Sequence, residues 1–502
     1  MKSRVTLLNM ASGLLLQIVT LISGLIIPRI ILENFGSDVN GMIASIEQFL
    51  SYISLIEGGL TGVLMAKLYR PLVENNSDEL SSVLSTGRNF YRKVGAIFFA
   101  YAFILALGFP LIRENDFSRF SIFVLVIILS INLLIQYVLS ITLRTLLISD
   151  KKGYIVSFSQ IVIVIFNIII SLIVVKIYPQ IHVLKLVSGC LYMIQPIIFS
   201  WYVHKHYDIY WSAPINNELI RNRWNGFAIN IAAFIHNSTD ITILTILTDF
   251  KIVSIYSVYN MVCGGIKQLV LSCLSGISQS VGQSYAKEDY AEVHFKMDLY
   301  EYIVFVLVTF FFSVTALLIS PFVLLYTEGI SDNNYYQPLF GVLLVISEVL
   351  YLVKLPHLDL SYAANKFKEI TIPAYIEAGL NLMISMFCVK KYGLSGIVMG
   401  TIIGMMYRMI FHVYFTSKIL PGRNQWIFYR KFMLFILSSI IGIVICMYAF
   451  PIKFLSPLQW ILHGVIYSII IAISILIISI IAFRKELGFF RSYLKKKSGT
   501  GD

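Results

Sequence analysis

Fourteen blocks of mostly apolar residues, each about as long as a bilayer is thick, account for most of this 502-residue chain. A helix needs about 20 apolar residues to cross the hydrocarbon, where its backbone must satisfy its own hydrogen bonds. The blocks are 5–31, 39–68, 94–112, 120–143, 154–175, 183–203, 227–247, 252–281, 300–326, 339–360, 370–389, 394–415, 432–449 and 458–483. The segments between them are short, and only 69–93 and 204–226 approach 25 residues. Charged residues make up 13% of the chain, against about 25% in a soluble domain. The pattern predicts an all-α polytopic membrane protein with about 14 transmembrane helices and almost no room for a soluble domain. The first block is longer than the roughly 7–15 residues of a signal-peptide core, so it reads as the first span.

Net charge is +12, and its distribution follows the positive-inside rule. With the N-terminus inside, inner segments hold 26 of the 39 Lys and Arg, outer segments hold eight, and five lie within spans. This bias puts both termini in the cytoplasm, as an even number of spans requires. The basic charge is therefore a topology signal, and nucleic acid is not an expected partner. The Lys495-Lys496-Lys497 tail reads as an anchor at the inner surface, with some attraction for anionic lipid.

All five cysteines (Cys190, Cys263, Cys273, Cys388 and Cys446) lie in apolar runs and lack metal or redox spacing. They read as small buried hydrophobes, and no metal site is expected. Paired-carboxylate, triad and phosphate-loop signatures are absent as well, so no catalytic residues are expected.

The chain repeats itself. Asn167-x3-Ser171-x4-Lys176-x-Tyr178 recurs as Asn381-x3-Ser385-x4-Lys390-x-Tyr392, at an offset that also carries Lys152 onto Lys366. Ser188-Gly189 matches Ser395-Gly396 with a shorter loop. Spans five and six thus resemble spans eleven and twelve, six spans apart and crossing in the same direction. That is a parallel repeat about an axis along the membrane normal. It predicts two six-helix lobes facing a cavity, plus two C-terminal helices. The expected boundaries are 1–203 for the N-terminal lobe, 204–226 for a cytoplasmic interlobe loop, 227–418 for the C-terminal lobe, and 419–502 for the last two spans and basic tail.

Ile27-Pro28-Arg29-Ile30-Ile31-Leu32-x2-Phe35-Gly36-x3-Asn40-Gly41 is followed by Gln48-Phe49-Leu50-Ser51-Tyr52-Ile53-Ser54-Leu55-Ile56-Glu57-Gly58-Gly59-Leu60. Asn237-Ser238-Thr239-Asp240, Ser254-x-Tyr256-x2-Tyr259 and Gly282-Gln283-Ser284 come later, then Pro373-x3-Glu377-x3-Asn381-x3-Ser385 and Gly393-Leu394-x-Gly396-x3-Gly400-Thr401. In this order the motifs resemble the polysaccharide transport family. Its members are flippases of lipid-linked oligosaccharide or O-antigen units within the multidrug/oligosaccharidyl-lipid/polysaccharide exporter superfamily. Thr61 stands where relatives often carry a third glycine, which touches only local helix packing.

The resemblance implies fourteen spans and alternating access. The implied cargo is an oligosaccharide on undecaprenyl pyrophosphate, carried from the inner to the outer leaflet of the bacterial plasma membrane for O-antigen, capsule or exopolysaccharide synthesis. It implies no cofactor beyond coupling to H+ or Na+. Membrane lipids, a polysaccharide polymerase and glycosyltransferases of the same pathway are the implied partners.

A charge within a span costs roughly 2.5–3.5 kcal/mol on insertion scales, so it usually faces the interior. Lys267, in mid-span eight, is the leading head-group candidate, with an internal ion pair as the alternative. Arg408 on span twelve offers a fork suited to phosphate. Arg408, Lys354 on span ten and Arg29 near the outer end of span one are substrate candidates that snorkelling would explain equally well. Lys67 reads as an interfacial anchor.

The acidic span residues Glu47, Glu57, Asp240, Glu348 and Glu377 are candidates to pair with these cations; Glu57, Asp240, Glu348 and Glu377 are also candidates to carry the coupling ion. Asn9, Gly13, Gln17, Thr20 and Gly24 form a polar, small stripe on span one, and Asn230, Ala233, Asn237 and Asp240 form one on span seven. Asn237 is a further substrate candidate, against tight helix packing as the plain reading. His236, beside that stripe, reads as a hydrogen-bonding histidine.

A multidrug exporter of the same superfamily is the nearest alternative, although five cations within spans suit an anionic cargo better than a cationic drug. A membrane polymerase or ligase is a more distant one. Such enzymes generally carry a large outer loop with catalytic residues, whereas the longest outer loop here, near 327–338, holds no Lys, Arg or His.

Overall fold

The structure is a computed structural model. It describes the chain except residues 1, 58, 113–116, 217–226, 453–455, 484–487 and 489–502, together with the side chains of 2–3, 56, 227–233, 235–237 and 275. The described residues form helices joined by short turns and contain no strand. They divide into two compact units, Met1–Ser254 and Ile255–Asp502.

The first unit holds α1 (Lys2–Ser51), α2 (Ser54–Glu57), α3 (Leu60–Glu74), α4 (Ser77–Gly108), α5 (Arg119–Ile135), α6 (Ile141–Ser149), α7 (Gly153–Ile177), α8 (Ile181–Leu191), α9 (Ile194–His206) and α10 (Phe227–Leu247). α11 (Phe250–Ala286) starts in it and passes into the second unit. That unit continues with α12 (Tyr290–Tyr326), α13 (Pro338–Val353), α14 (Leu355–Ala363), α15 (Phe367–Ile419), α16 (Gln425–Ala449) and α17 (Pro457–Ala482).

Among the described residues ten helical stretches, some of them two helices in line, are long and apolar enough to cross a membrane, and bent α11 makes an eleventh. Two of them are double. α1 runs unbroken in hydrogen bonding through the expected first and second spans, with one non-helical residue at Gly36 (φ 82°). α15 does the same for spans eleven and twelve at Gly393 (φ 55°). Counted with these halves and with α10, the fourteen expected spans are all present. The expected loops 32–38 and 390–393 are instead single-residue hinges. Only glycine takes such a positive φ without a Cβ clash, so one residue replaces a loop.

Span two breaks again, at Tyr52–Ile53 and at Gly59 (φ 78°). A π-turn, Gln136–Ser140, joins α5 to α6. Span ten is split at Lys354, between α13 and α14, where Pro356 cannot supply the amide that a continuous helix requires.

In the first unit α1 packs along α7. Asn9 fastens their ends, accepting from the Tyr154 amide at 2.7 Å and donating to the Lys151 carbonyl at 2.7 Å. Asn9 is thus structural, while a Cβ at Gly13 or Gly24 would meet open space, so those two glycines are not a close-packing seam. α10 is held to the α1 region by hydroxyl pairs, Tyr52 with Thr242 and Thr245 with Ser45, each at 2.7 Å. These contacts group span seven with the first unit, and the division by packing falls at 254/255.

In the second unit α16 and α17 pack on α12. Trp460 Nε1 donates to the Leu318 carbonyl at 3.2 Å, and Leu318, Cys446 and Tyr467 form a small apolar core. The two halves of α15 fold against each other through glycine. A Cβ at Gly400 would lie 2.6 Å from the Asn381 carbonyl oxygen, and one at Gly404 would lie 3.1 Å from that of Glu377. Small residues at these two positions let the backbones meet.

Candidate functional site

Five charged side chains from the spans of the second unit are gathered into one largely buried row. Lys267 on α11 forms an ion pair with Glu348 on α13 at 2.9 Å and lies 4.0 Å from the centre of the Tyr351 ring. Lys354 also lies against that ring, 4.4 Å from its centre, and donates to Met405 Sδ at 3.1 Å. Arg408, one turn after Met405 on α15, donates from Nη1 to Glu377 Oε2 at 2.6 Å. Its Nε points at His412 Nε2, 3.1 Å away.

The row holds three cations and two carboxylates, not counting the histidine. Lys354 is the surplus cation: it is 3% exposed, and no carboxylate among the described residues lies within ion-pair distance of it. It also stands at the N-terminal end of α14, whose backbone dipole adds positive potential there. An ammonium buried there without a carboxylate costs several kcal/mol, a cost that an anionic ligand would offset.

A second cluster lies where α12 meets the turn between α15 and α16. Glu301, fully buried, receives Arg423 at 2.5 Å and Lys431 at 3.2 Å, with His357 at 3.5 Å. Asp298 takes the same two cations, Lys431 at 2.7 Å and Arg423 at 3.3 Å. Burial pulls the Arg423 guanidinium down, but Glu301 and Asp298 outweigh it and hold the group above its ordinary value. The cluster is charge-matched, and it ties α16 to the rest of the unit.

In the first unit Glu57 sits in a ring of hydroxyls. Thr61 Oγ1 donates to Glu57 Oε1, Tyr91 OH reaches the same oxygen at 3.4 Å, and Tyr137 OH reaches Oε2 at 3.5 Å. Among the described residues no cation pairs with it. The break at Gly59 turns Thr61 back onto Glu57, so Thr61 is a partner of this carboxylate and not only a packing residue. Tyr137 arrives from the π-turn, a distortion that often marks functional positions.

Nearby, a cavity of about 280 Å³ is lined by Glu47, Asn132, Asn167, Lys185, Ser188 and Tyr192, among others. Glu47 pairs there with Lys185 at 3.1 Å. Asn167 and Ser171 belong to the repeat. Their counterparts Asn381 and Ser385 instead bond to each other at 3.0 Å inside α15, with Ser385 also donating to the Ile397 carbonyl. Of the first-unit pair, Asn167 lines the cavity while Ser171 is buried.

No protein-family model matches the sequence, and neither does any curated protein. Solved structures do match. A structure of the lipid II flippase MurJ in an inward closed conformation superposes with a TM-score of 0.72 at 14% identity, covering 96% of this chain and 100% of that one. An inward-facing multidrug resistance MATE family transporter of the MOP superfamily gives 0.59 at 12% identity, covering 83% and 99%. The Vibrio cholerae MATE transporter VcmN in its bent form gives 0.55 at 12%, covering 85% and 99%. This chain has the fold of these transporters.

Within the exporter fold, Lys267 with Glu348 and Arg408 with Glu377 come together as two interhelical ion pairs, with Lys354 between them. Lys354 and Arg408 are buried and do not snorkel. Arg29, in the first unit, forms an ion pair with Glu33 one turn on, at 2.6 Å. Asp240 is buried in the first unit. The side chains of Asn237 and of its stripe partners Asn230 and Ala233, with that of His236, lie outside the described residues.

Sequence reasoning missed Tyr351, Met405 and His412, which look like ordinary span residues. It also missed Glu301, whose position inside the ninth apolar block was a usable signal.

Proposed function

We propose that this chain is a flippase that carries undecaprenyl-pyrophosphate-linked oligosaccharide units from the inner to the outer leaflet of the bacterial plasma membrane. The observation that carries the proposal is Lys354, a surplus cation buried within the spans between two ion pairs. A pyrophosphate head group is multiply anionic, and a positive site inside the exporter fold suits it. An Arg fork at Arg408 adds two-point recognition of phosphate oxygens once its pair with Glu377 exchanges. A cationic drug would meet repulsion at the same place, which puts the multidrug reading second. Likeness to a lipid II flippase over 96% of the chain supports the same preference.

Transport on this reading is alternating access between the two repeat-related lobes, with both termini cytoplasmic. Glu57 is the candidate to carry the coupling proton, because its ring of hydroxyls supports either the carboxylate or the acid. No step requires chemistry on the cargo, so the protein is read as a transporter and not an enzyme. Polymerase and glycosyltransferases of one surface-glycan pathway are its expected companions.

The test is a deletion strain. Lipid-linked oligosaccharides should accumulate on the inner side while surface glycan falls. Unchanged surface glycan with no accumulation sinks the proposal.

A further inference from the structure

A basic and aromatic cavity lies in the first unit, lined by residues other than those of the Glu47–Lys185 cavity. It has a volume of about 470 Å³, and α4, the π-turn, α6, α9 and the segment 207–216 form its walls. The Arg88 guanidinium sits in it, 4.5 Å from the centre of the Trp211 ring. Trp201 closes another side and carries Lys205 Nζ 5.3 Å from its own ring centre. Arg92, one turn along α4, is close enough to repel Arg88. Among the described residues no carboxylate pairs with either arginine.

The aromatic wall is built and not incidental. One polar face of α4 holds the segment that carries Trp211. Ser82 Oγ donates to the Pro214 carbonyl at 2.9 Å and Ser85 Oγ to that of Trp211 at 3.4 Å. Ser81 Oγ accepts from the Tyr210 amide and Thr86 Oγ1 from the Asn216 amide, each at 3.0 Å. Tyr207, at the start of the segment, donates to Asp150 at 2.5 Å. Trp211 is thereby fixed over Arg88. The opposite wall is apolar and open, with Leu139 exposed and Ile197 66% exposed.

Two like charges without a carboxylate partner among the described residues attract an anion. Tryptophans paired with cations favour the membrane interface. Arg88, Lys205 and 207–216 all belong to segments that the charge distribution places on the inner side. Basic pockets between helices at that level suit lipid head groups, and an exposed aliphatic wall suits an acyl chain and not a free ion.

We propose that this cavity binds the phosphate of an anionic phospholipid at Arg88, with an acyl chain along Leu139 and Ile197. The site shares no residue with the proposed cargo row, and its test needs no cargo.

The full-length protein, purified in neutral detergent, is titrated with phosphatidylglycerol, phosphatidylcholine and inorganic phosphate, and binding is read by native mass spectrometry and melting temperature. Phosphatidylglycerol should bind and raise the melting temperature, while phosphatidylcholine and inorganic phosphate should do so far less. Arg88→Gln should weaken phosphatidylglycerol about tenfold, the loss expected for one charge-assisted hydrogen bond. Arg119→Gln, at an outer arginine, should leave it unchanged.

Ile197→Glu keeps Arg88 and alters an exposed position, so it tests the acyl wall even where Arg88→Gln fails to fold. It too should weaken binding. Wild-type affinity in folded Arg88→Gln or in Ile197→Glu overturns the proposal. Equal binding of phosphatidylcholine, or equal competition by inorganic phosphate, overturns it as well.

Discussion

Lys354 stands at a proline break, its ammonium held by a thioether and the face of a tyrosine. Neither partner neutralises it. Lys354→Met removes the charge, keeps the length and leaves no carboxylate orphaned. The variant is expected to reach the membrane at wild-type abundance or above, because a buried unpaired charge is gone, and to lose glycan export. Normal export by an abundant Lys354→Met protein would remove the residue from the cargo path.

The ion pairs behave differently. Glu377→Ala leaves Arg408 buried and unpaired, a loss of about 3–5 kcal/mol. Membrane abundance should fall and should recover in the Glu377→Met/Arg408→Met double variant. Recovery of abundance without recovery of export is the outcome expected of a pair that also serves the cargo.

Glu57→Gln preserves an acceptor for Thr61 and Tyr91 and so should fold. It should make transport in vesicles insensitive to an imposed pH gradient. A response as steep as the wild type's would end the assignment of Glu57 as the proton carrier.

At the scale of elements, glycine positions decide how the spans fold back. The two halves of α15 lie against each other because Gly400 and Gly404 present no side chain to the backbone of the first half. Gly400→Val places a branched side chain against the Asn381 carbonyl, which as backbone has little freedom to move. The overpacking cost is about 1–3 kcal/mol, read as a lower melting temperature and lower abundance. Gly13→Ala is the contrast, since its Cβ meets nothing within 4 Å and alanine favours a helix over glycine by about 1 kcal/mol. Its melting temperature should hold or rise. Similar losses from both substitutions would refute the packing account.

The positions of the spans were legible in the sequence at this scale because apolar length is a local property. The hinges at Gly36 and Gly393 were not legible as such. A loop and a one-residue hinge both appear only as a gap in hydropathy, and the glycine φ that separates them is set by the packing of the flanking helices.

At the scale of the whole molecule, the excess of Lys and Arg on alternate segments predicts that both ends face the cytoplasm. A fluorescent fusion after Asp502 should be bright, and a phosphatase fusion at the same point should be inactive. Active phosphatase would contradict the orientation and the even number of crossings.

An all-α membrane protein of fourteen spans, an internal repeat, and five cations and a set of carboxylates within apolar blocks can all be read from the linear chain. Hydrophobic length, charge side and spacing act through near neighbours along the chain, so they are visible one segment at a time. Which charges meet was set by folding. Arg408 finds Glu377 across the α15 hinge, and Lys267 finds Glu348 on another span. Lys354 is left over because the nearby carboxylates are already taken. Partner choice depends on which helix faces pack, and that is a property of helices brought together from distant parts of the chain. The same reason hid Thr61 and Tyr137 from a linear reading. Their hydroxyls reach Glu57 only after a glycine break and a π-turn have turned two helices towards it.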